Sequence, residues 1–326
     1  MEATLYPLKF KPIIKDKIWG GAKLRDVLGK NASDKAGESW EISGVEGDIS
    51  MVENGFLAGN SLLELTEIYM GDLLGDSIYE RFGVEFPLLI KFIDAADFLS
   101  VQVHPDDALA RERHNSYGKT EMWYIVESDQ GELIAGFNRK LDREQYLKHF
   151  NGGSLKEILN HEEVVPGDIY FMPAGRVHAI GAGVLLAEIQ QTSDVTYRIY
   201  DWDRTDDQGQ ARELHTDLAL DAIDFAFHSS YKTECLPLKN STVTAVDSSF
   251  FTTGVIHLDQ AVEKDFNLID SFVIYMCMEG SAGITFPGGV EQIKKGETVL
   301  IPAELKNLAI VPTEATTLLE VYIKTD

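Results

Sequence analysis

Short apolar runs separated by Gly, Pro, Asn and Asp dominate this chain. Pro87–Asp94, Leu99–His104, Lys119–Val126, Ile169–Met172 and Val184–Gln190 each predict a β-strand. In Leu99–His104, Val101 and Val103 alternate with Ser100, Gln102 and His104, so a period of two puts the three polar residues on one face. Lys119 and Glu121 share a strand face in the same way. Helical patterns interrupt the strands. Ser61-Leu-Leu-Glu64 is a capping box leading into Leu65–Tyr69, a second helical stretch follows around Asp72–Phe82, and Asp106–His114 predicts another helix. Asp142-Arg-Glu-Gln145 and Ser154-Leu-Lys-Glu157 predict two more capped helices. An Asp-rich connector runs from Asp201 to Gly209, followed by a short helix before Ser230. Residues 234–326 are rich in β-branched and aromatic side chains with regular turn signals, the pattern of an all-β sandwich or barrel.

An internal repeat organises these elements. Lys295-Gly-Glu-Thr-Val-Leu-Ile-Pro-Ala303 aligns without a gap on Pro166-Gly-Asp-Ile-Tyr-Phe-Met-Pro-Ala174, and Phe272–Cys277 resembles Met122–Val126. The expectation is a mainly β protein of two barrels of common origin, residues 1–230 and 231–326. Helices are inserted at about 61–82, 106–115 and 142–160 of the first. In the second copy Asn307 stands where His178 stands in the first, and Ser271 falls near the place of Glu121. The second copy therefore reads as metal-free and structural.

Composition narrows the function. A chain of 326 residues, 44% hydrophobic, has material for roughly two domains. Its net charge of −24 and the absence of a basic block exclude nucleic acid and anionic membrane surfaces as partners. A small anionic substrate remains allowed, because bulk charge is screened over about 8 Å at physiological salt. Cys235 and Cys277 show no metal or redox spacing and read as filler in a reducing compartment. The N-terminus lacks signal-peptide character, and the most apolar run, Phe86–Val103, is interrupted by Lys91, Asp94 and Asp97. The expected location is the cytoplasm, as a monomer or homodimer.

The chemistry centres on Gly167, five residues, Pro173, one residue, Gly175, two residues, His178. Proline and glycine punctuate a turn there, and His178 follows it at the mouth of the predicted barrel. This spacing resembles the second signature motif of the cupin superfamily. Gln102, His104, Glu121 and His178 form a set of inward donors suited to Zn²⁺, with iron, manganese or cobalt as alternatives. The plain alternative is four separate hydrogen-bonded core residues.

Four segments together make the resemblance specific: Ser100-Val-Gln-Val-His-Pro-Asp-Asp107, Gly118-Lys-Thr-Glu121, His178-Ala-Ile-Gly181 and Glu188–Arg198. They are similar to the class I mannose-6-phosphate isomerases of the short bacterial type, over nearly the whole chain. The resemblance implies zinc on Gln102, His104, Glu121 and His178, an essential Arg198, and Ser100, Lys91 and Lys119 at the substrate or its phosphate. Glu188 matches a pocket acid, and the proton-transferring base stays open between Glu188 and Lys119. Trp19 and Trp40 are candidates for the pocket wall as well as for the core. Arg139 and Arg204 read as solvated, and the remaining histidines as background. The resemblance implies a phosphosugar isomerase acting through an enediol. A non-catalytic sugar-phosphate-binding cupin and an iron cupin oxygenase are the competing expectations.

Overall fold

The computed structural model describes residues 5–205 and 209–325; part of the Asp-rich connector, residues 206–208, lies outside the described residues. The first half of the chain supplies β1 (Ile13–Gly21), β2 (Ala36–Ile42), β3 (Leu88–Ala95), β4 (Val101–Val103), β5 (Glu121–Ser128) and β6 (Glu132–Phe137). It continues with β7 (Leu159–Glu163), β8 (Ile169–Met172), β9 (His178–Ile180), β10 (Val184–Gln191), β11 (Tyr197–Tyr200) and β12 (Lys232–Thr233). They form two antiparallel sheets, ordered β1-β2-β3-β10-β5-β8-β12 and β11-β4-β9-β6-β7. Trp123, Ile125, Leu186, Leu133 and Ile180 fill the apolar end between the sheets.

The second half supplies β13 (Thr242–Asp247), β14 (Thr252–Leu258), β15 (Val262–Asp265), β16 (Val273–Glu279) and β17 (Ser281–Phe286). After these come β18 (Gly289–Lys294), β19 (Thr298–Ile301), β20 (Asn307–Pro312) and β21 (Thr316–Tyr322). Their sheets are ordered β13-β14-β21-β16-β19 and β15-β20-β17-β18. The expected mainly β, cupin-like architecture is present, as two-sheet sandwiches rather than hydrogen-bonded closed barrels.

β3 and β10 are buried along their whole length, one face against an apolar layer and the other inside the first sandwich. Ile90, Phe92, Leu185, Ala187 and Ile189 point away from the first sandwich and pack with Ile274, Met276, Leu319 and Val321 of the second. Residues near the N-terminus join the same layer, with Leu8 paired to Leu300. This doubly covered position explains why Pro87–Asp94 reads as an apolar run rather than a clean alternation.

Register corrects one detail of the repeat. Trp123 pairs with Tyr170 and Glu188, and Tyr275 pairs with Val299 and Glu320. Two residues earlier, Glu121 faces Met172 and Val273 faces Ile301. Val273, not Ser271, therefore occupies the place of Glu121. The sequence alignment slipped because the upstream strands share character without shared motifs.

The capping boxes at Ser61 and Asp142 both form, starting helices Leu62–Leu74 and Arg143–Asn151. The expected helix capped by Ser154 is instead one 3-10 turn, Leu155–Ile158. The Ser154 hydroxyl bonds the ring of His149, 2.9 Å away, and caps nothing. Among the described residues no helix is long and apolar enough to cross a membrane.

Candidate metal centre and its pocket

β4, β5 and β9 bring together His104, Glu121 and His178, all nearly fully buried. His104 follows β4 directly. The turn of the glycine-spaced motif is pinned against it, since Gly175 donates its backbone N–H to the His104 carbonyl at 2.9 Å. Gly175 adopts φ +88°, a conformation natural to glycine. Glu121 Oε2 lies 3.5 Å from His104 Nε2, and Glu121 Oε1 lies 3.3 Å from His178 Nε2.

Each imidazole is oriented from behind. His104 Nδ1 is 3.1 Å from the Val195 carbonyl and His178 Nδ1 is 2.8 Å from the Arg176 carbonyl. A carbonyl only accepts, so each Nδ1 carries the proton and donates, leaving the Nε2 lone pairs free. Burial pushes His178 down to about 4 and His104 well below its usual range, so both rings are neutral. The two Nε2 atoms and both Glu121 oxygens are buried without any hydrogen-bond partner. An unsatisfied buried polar group costs about 1–3 kcal/mol. Four converging on one space, with atoms from the three residues within 4.8 Å of one another, form a set that fits a divalent cation. Gln102 stands beside them, paired in register with His178 on one side and Arg198 on the other.

Cations and carboxylates line the adjoining wall. Lys91 on β3 pairs with Glu188 on β10; its Nζ lies 2.8 Å from Glu188 Oε1 and 2.6 Å from Gln190 Oε1. Trp123 donates its indole N–H to Glu188 Oε2 at 2.9 Å. Burial alone would neutralise Glu188, but Lys91 and Lys119 hold it in the ionised form. Lys119 Nζ is 3.8 Å from Glu121 Oε2, beyond hydrogen-bonding distance, and burial followed by the neighbouring Lys91 lowers its pKa. Arg198 Nη1 donates to the Glu213 carbonyl at 2.8 Å, while its Nε is buried without a partner. Ser100 is buried just before β4. Trp40 lies beside Lys91, whose Nζ is 5.4 Å from the ring centroid. Trp19 is enclosed by the apolar side chains of the first sandwich.

The structure adds residues that the sequence did not single out. Glu38 and Gln190 stand two positions from Trp40 and Glu188, so strand periodicity was a usable signal for both. His215 had none. Its ring Nδ1 accepts the Arg198 backbone N–H at 3.1 Å, and its backbone N–H donates to the Arg198 carbonyl at 2.8 Å. This is a correction to its reading as background. Arg204 is likewise not solvated: it donates to the Asp201 carboxylate and the Phe98 carbonyl, each at 2.6 Å. Arg139 stays at the surface, donating to the Glu157 carbonyl. Cys235 and Cys277 are free, the latter buried.

Residues 7–139 match the family model of the phosphomannose isomerase type I catalytic domain. The chain is 36% identical over 306 residues to the mannose-6-phosphate isomerase of Streptococcus mutans serotype c, spanning 92% of this chain and 94% of that protein. It is also 36% identical over 308 residues to a mannose-6-phosphate isomerase of Bacillus subtilis, with the same coverage. The crystal structure of the mannose 6-phosphate isomerase from Bacillus subtilis superposes with a TM-score of 0.86 at 32% identity, covering 98% of this chain and 100% of that one.

Proposed function

The chain belongs to the type I phosphomannose isomerase family, and on that premise we propose that it interconverts D-mannose 6-phosphate and D-fructose 6-phosphate through an enediol. One divalent cation, Zn²⁺, would be held by His104, Glu121 and His178, with Gln102 beside them as a further donor. The observation that carries this reading is the set of four buried, unpartnered acceptor atoms on the first three residues. When bound, such a cation supplies a Lewis acid that favours negative charge on the sugar oxygens.

The isomerisation takes a proton from C2 and returns one to C1, while the hydroxyl proton passes from O2 to O1. Both oxygens of Glu188 are already engaged, by Lys91 and Trp123, so Glu188 orients and balances charge. Lys119, with its amine beyond hydrogen-bonding distance of Glu121, is the group free to move the proton. The unpartnered Nε of Arg198 is suited to hold charge developing on oxygen. Ser100 and Lys91 contact the sugar from opposite sheets, and Trp40 forms the wall, whereas Trp19 belongs to the core. Residues 1–230 carry the chemistry, and residues 231–326 act as a brace. Every residue of the set comes from one chain.

The test is a coupled assay of mannose 6-phosphate conversion combined with elemental analysis of the purified protein. Activity should vanish with chelator and return with Zn²⁺. Full turnover by a metal-stripped preparation ends the proposal. A binder without catalysis would take up the phosphosugar yet leave its C2 proton unexchanged with solvent.

A further inference from the structure

Lys91 and Lys119 are both buried cations of the pocket, yet they are held in different ways. The Lys91 ammonium donates to Glu188 and Gln190, at 2.8 and 2.6 Å. Among the described residues, Lys119 Nζ meets a carboxylate only at 3.8 Å, that of Glu121. Its place is therefore set from the backbone, where three successive amides are engaged. Gly118 N–H donates to Asp107 Oδ1 at 2.8 Å, and Thr120 N–H donates to Gln191 Oε1 at 2.9 Å. Between them, Lys119 N–H donates to the Pro105 carbonyl at 3.1 Å. Gln191 also donates its Nε2 to Asp107 Oδ1 at 2.9 Å and its backbone N–H to the Thr120 carbonyl at 3.1 Å. These bonds close a ring that runs from Asp107 through Gln191, Thr120, Lys119 and Gly118 back to Asp107. Gly118 lets the ring close, because a Cβ there would meet the Asp107 backbone nitrogen at 2.5 Å. The turn of the glycine-spaced motif is tied to the same segment, since Ala174 N–H donates to Thr120 Oγ1 at 3.2 Å.

Gln191 faces away from the metal pocket. A period of two along β10 puts Glu188 and Gln190 inside the first sandwich and Gln191 on the opposite face. There Gln191 and Asp107 line a cavity of about 230 Å³, together with Phe82, Tyr117 and Phe250. Gln191 is buried, so water does not compete for its amide bonds, and Asp107 is the first residue of the helix Asp107–His114. On the isomerase reading, with Lys119 moving the proton between C2 and C1, we propose that Gln191 and Asp107 are positioning residues for Lys119. They fix the amides on both sides of it, so the amine keeps its place beside the sugar without a hydrogen bond of its own. A bond on the amine would have to be given up at each proton transfer. A hold on the backbone lasts through the whole cycle and costs nothing at the reacting atoms. The closed pattern of Asp107 and Gln191 also explains why a carboxylate and an amide, rather than two carboxylates, stand at these positions, since the pair needs one donor between two acceptors.

The experiment measures kcat, KM and bound zinc for wild type, Q191A, D107A, Q191E and the double variant D107N/Q191E, with mannose 6-phosphate as substrate. Q191A and D107A should each lower kcat about tenfold, with KM within about twofold and zinc retained. Q191E sets two carboxylates against each other and should lose as much. D107N/Q191E exchanges the amide and the carboxylate, so the contact between them re-forms and both backbone N–H groups keep an oxygen acceptor. Its kcat should return to within about threefold of wild type, a recovery that general loosening of the fold would not give. Amide hydrogen exchange over residues 118–121 reads the ring directly: it should quicken in Q191A and Q191E and slow again in the double variant. Wild-type kcat and exchange in a folded Q191A, a double variant no better than Q191E, or a loss that follows KM or zinc content overturns the inference. If the alanine variants do not fold, the comparison of Q191E with D107N/Q191E decides alone. An inactive wild-type protein would strike the isomerase reading instead, and hydrogen exchange in the same variants would still decide whether the ring holds the segment.

Discussion

Lys91 and Glu188 form an ion pair at 2.8 Å in the middle of the seven-stranded sheet, with side chains only 7% and 4% exposed. Removing one partner strands the other charge where water cannot reach it. Lys91→Met should therefore destabilise the protein by about 3 kcal/mol in urea unfolding. The double variant Lys91→Met/Glu188→Leu should recover part of that loss. A single variant as stable as wild type would show that the pair is more hydrated than its burial implies.

The unpartnered nitrogens and oxygens of His104, Glu121 and His178 predict that a bound metal also stabilises the fold. At a free Zn²⁺ concentration a hundred times its dissociation constant, binding should stabilise the folded chain by about 2.7 kcal/mol. Chelation should lower the melting midpoint, and Zn²⁺ should restore it. Glu121→Gln, which removes the ligand charge, should abolish that metal-dependent shift. Calorimetry with and without metal measures both.

The His215 ring accepts the Arg198 backbone N–H, a bond that alanine would lose while the backbone bond from His215 N–H to the Arg198 carbonyl stays. His215→Ala should leave the fold intact and let the guanidinium drift. The expected loss is on the order of tenfold in kcat, with a smaller change in KM. Asparagine, which retains a side-chain acceptor, should rescue part of it. An equal loss in the asparagine and alanine variants would count against positioning.

Asp201 sets an acid-side dependence. Burial alone would raise its carboxyl, but hydrogen bonds from Arg212 at 2.7 and 2.5 Å and from Arg204 at 2.6 Å hold it below the ordinary value of 3.8. A folded-state pKa below the unfolded one gives stability that is fully present above the unfolded value and fades as pH falls through the folded one. Compared in metal-free protein, wild type should exceed Asp201→Asn in unfolding free energy at pH 7, with the gap closing below about pH 4. A gap independent of pH would assign the difference to hydrogen bonding alone.

The strand pattern around Ser100–His104 exposed the donor face because alternation is a local property. The capping boxes at Ser61 and Asp142 were legible for the same reason, each spanning a single helical turn. Ser154 carried the same signature and failed, since a neighbouring histidine ring competes for its hydroxyl. Contacts made by distant chain segments left no local trace. His215 reaches Arg198 across the Asp-rich connector, and Leu8 pairs with Leu300 at the other end of the chain. The sequence repeat located the second sandwich, but only hydrogen-bond register identified Val273 as the counterpart of Glu121.

The side chains of Ile90, Phe92, Leu185 and Ile189 lie against those of Ile274, Met276 and Leu319. The middle strands of the catalytic sheet, β3 and β10, are thus the filling of a three-layer stack, buried along their whole length. A chain cut near residue 230 would turn a greasy plane outward, and copies released from the ribosome would stick to one another before any sugar reached them. The repeated copy, with Val273 and Asn307 where the first has Glu121 and His178, keeps that lid in place; loss of the lid should leave the working half insoluble.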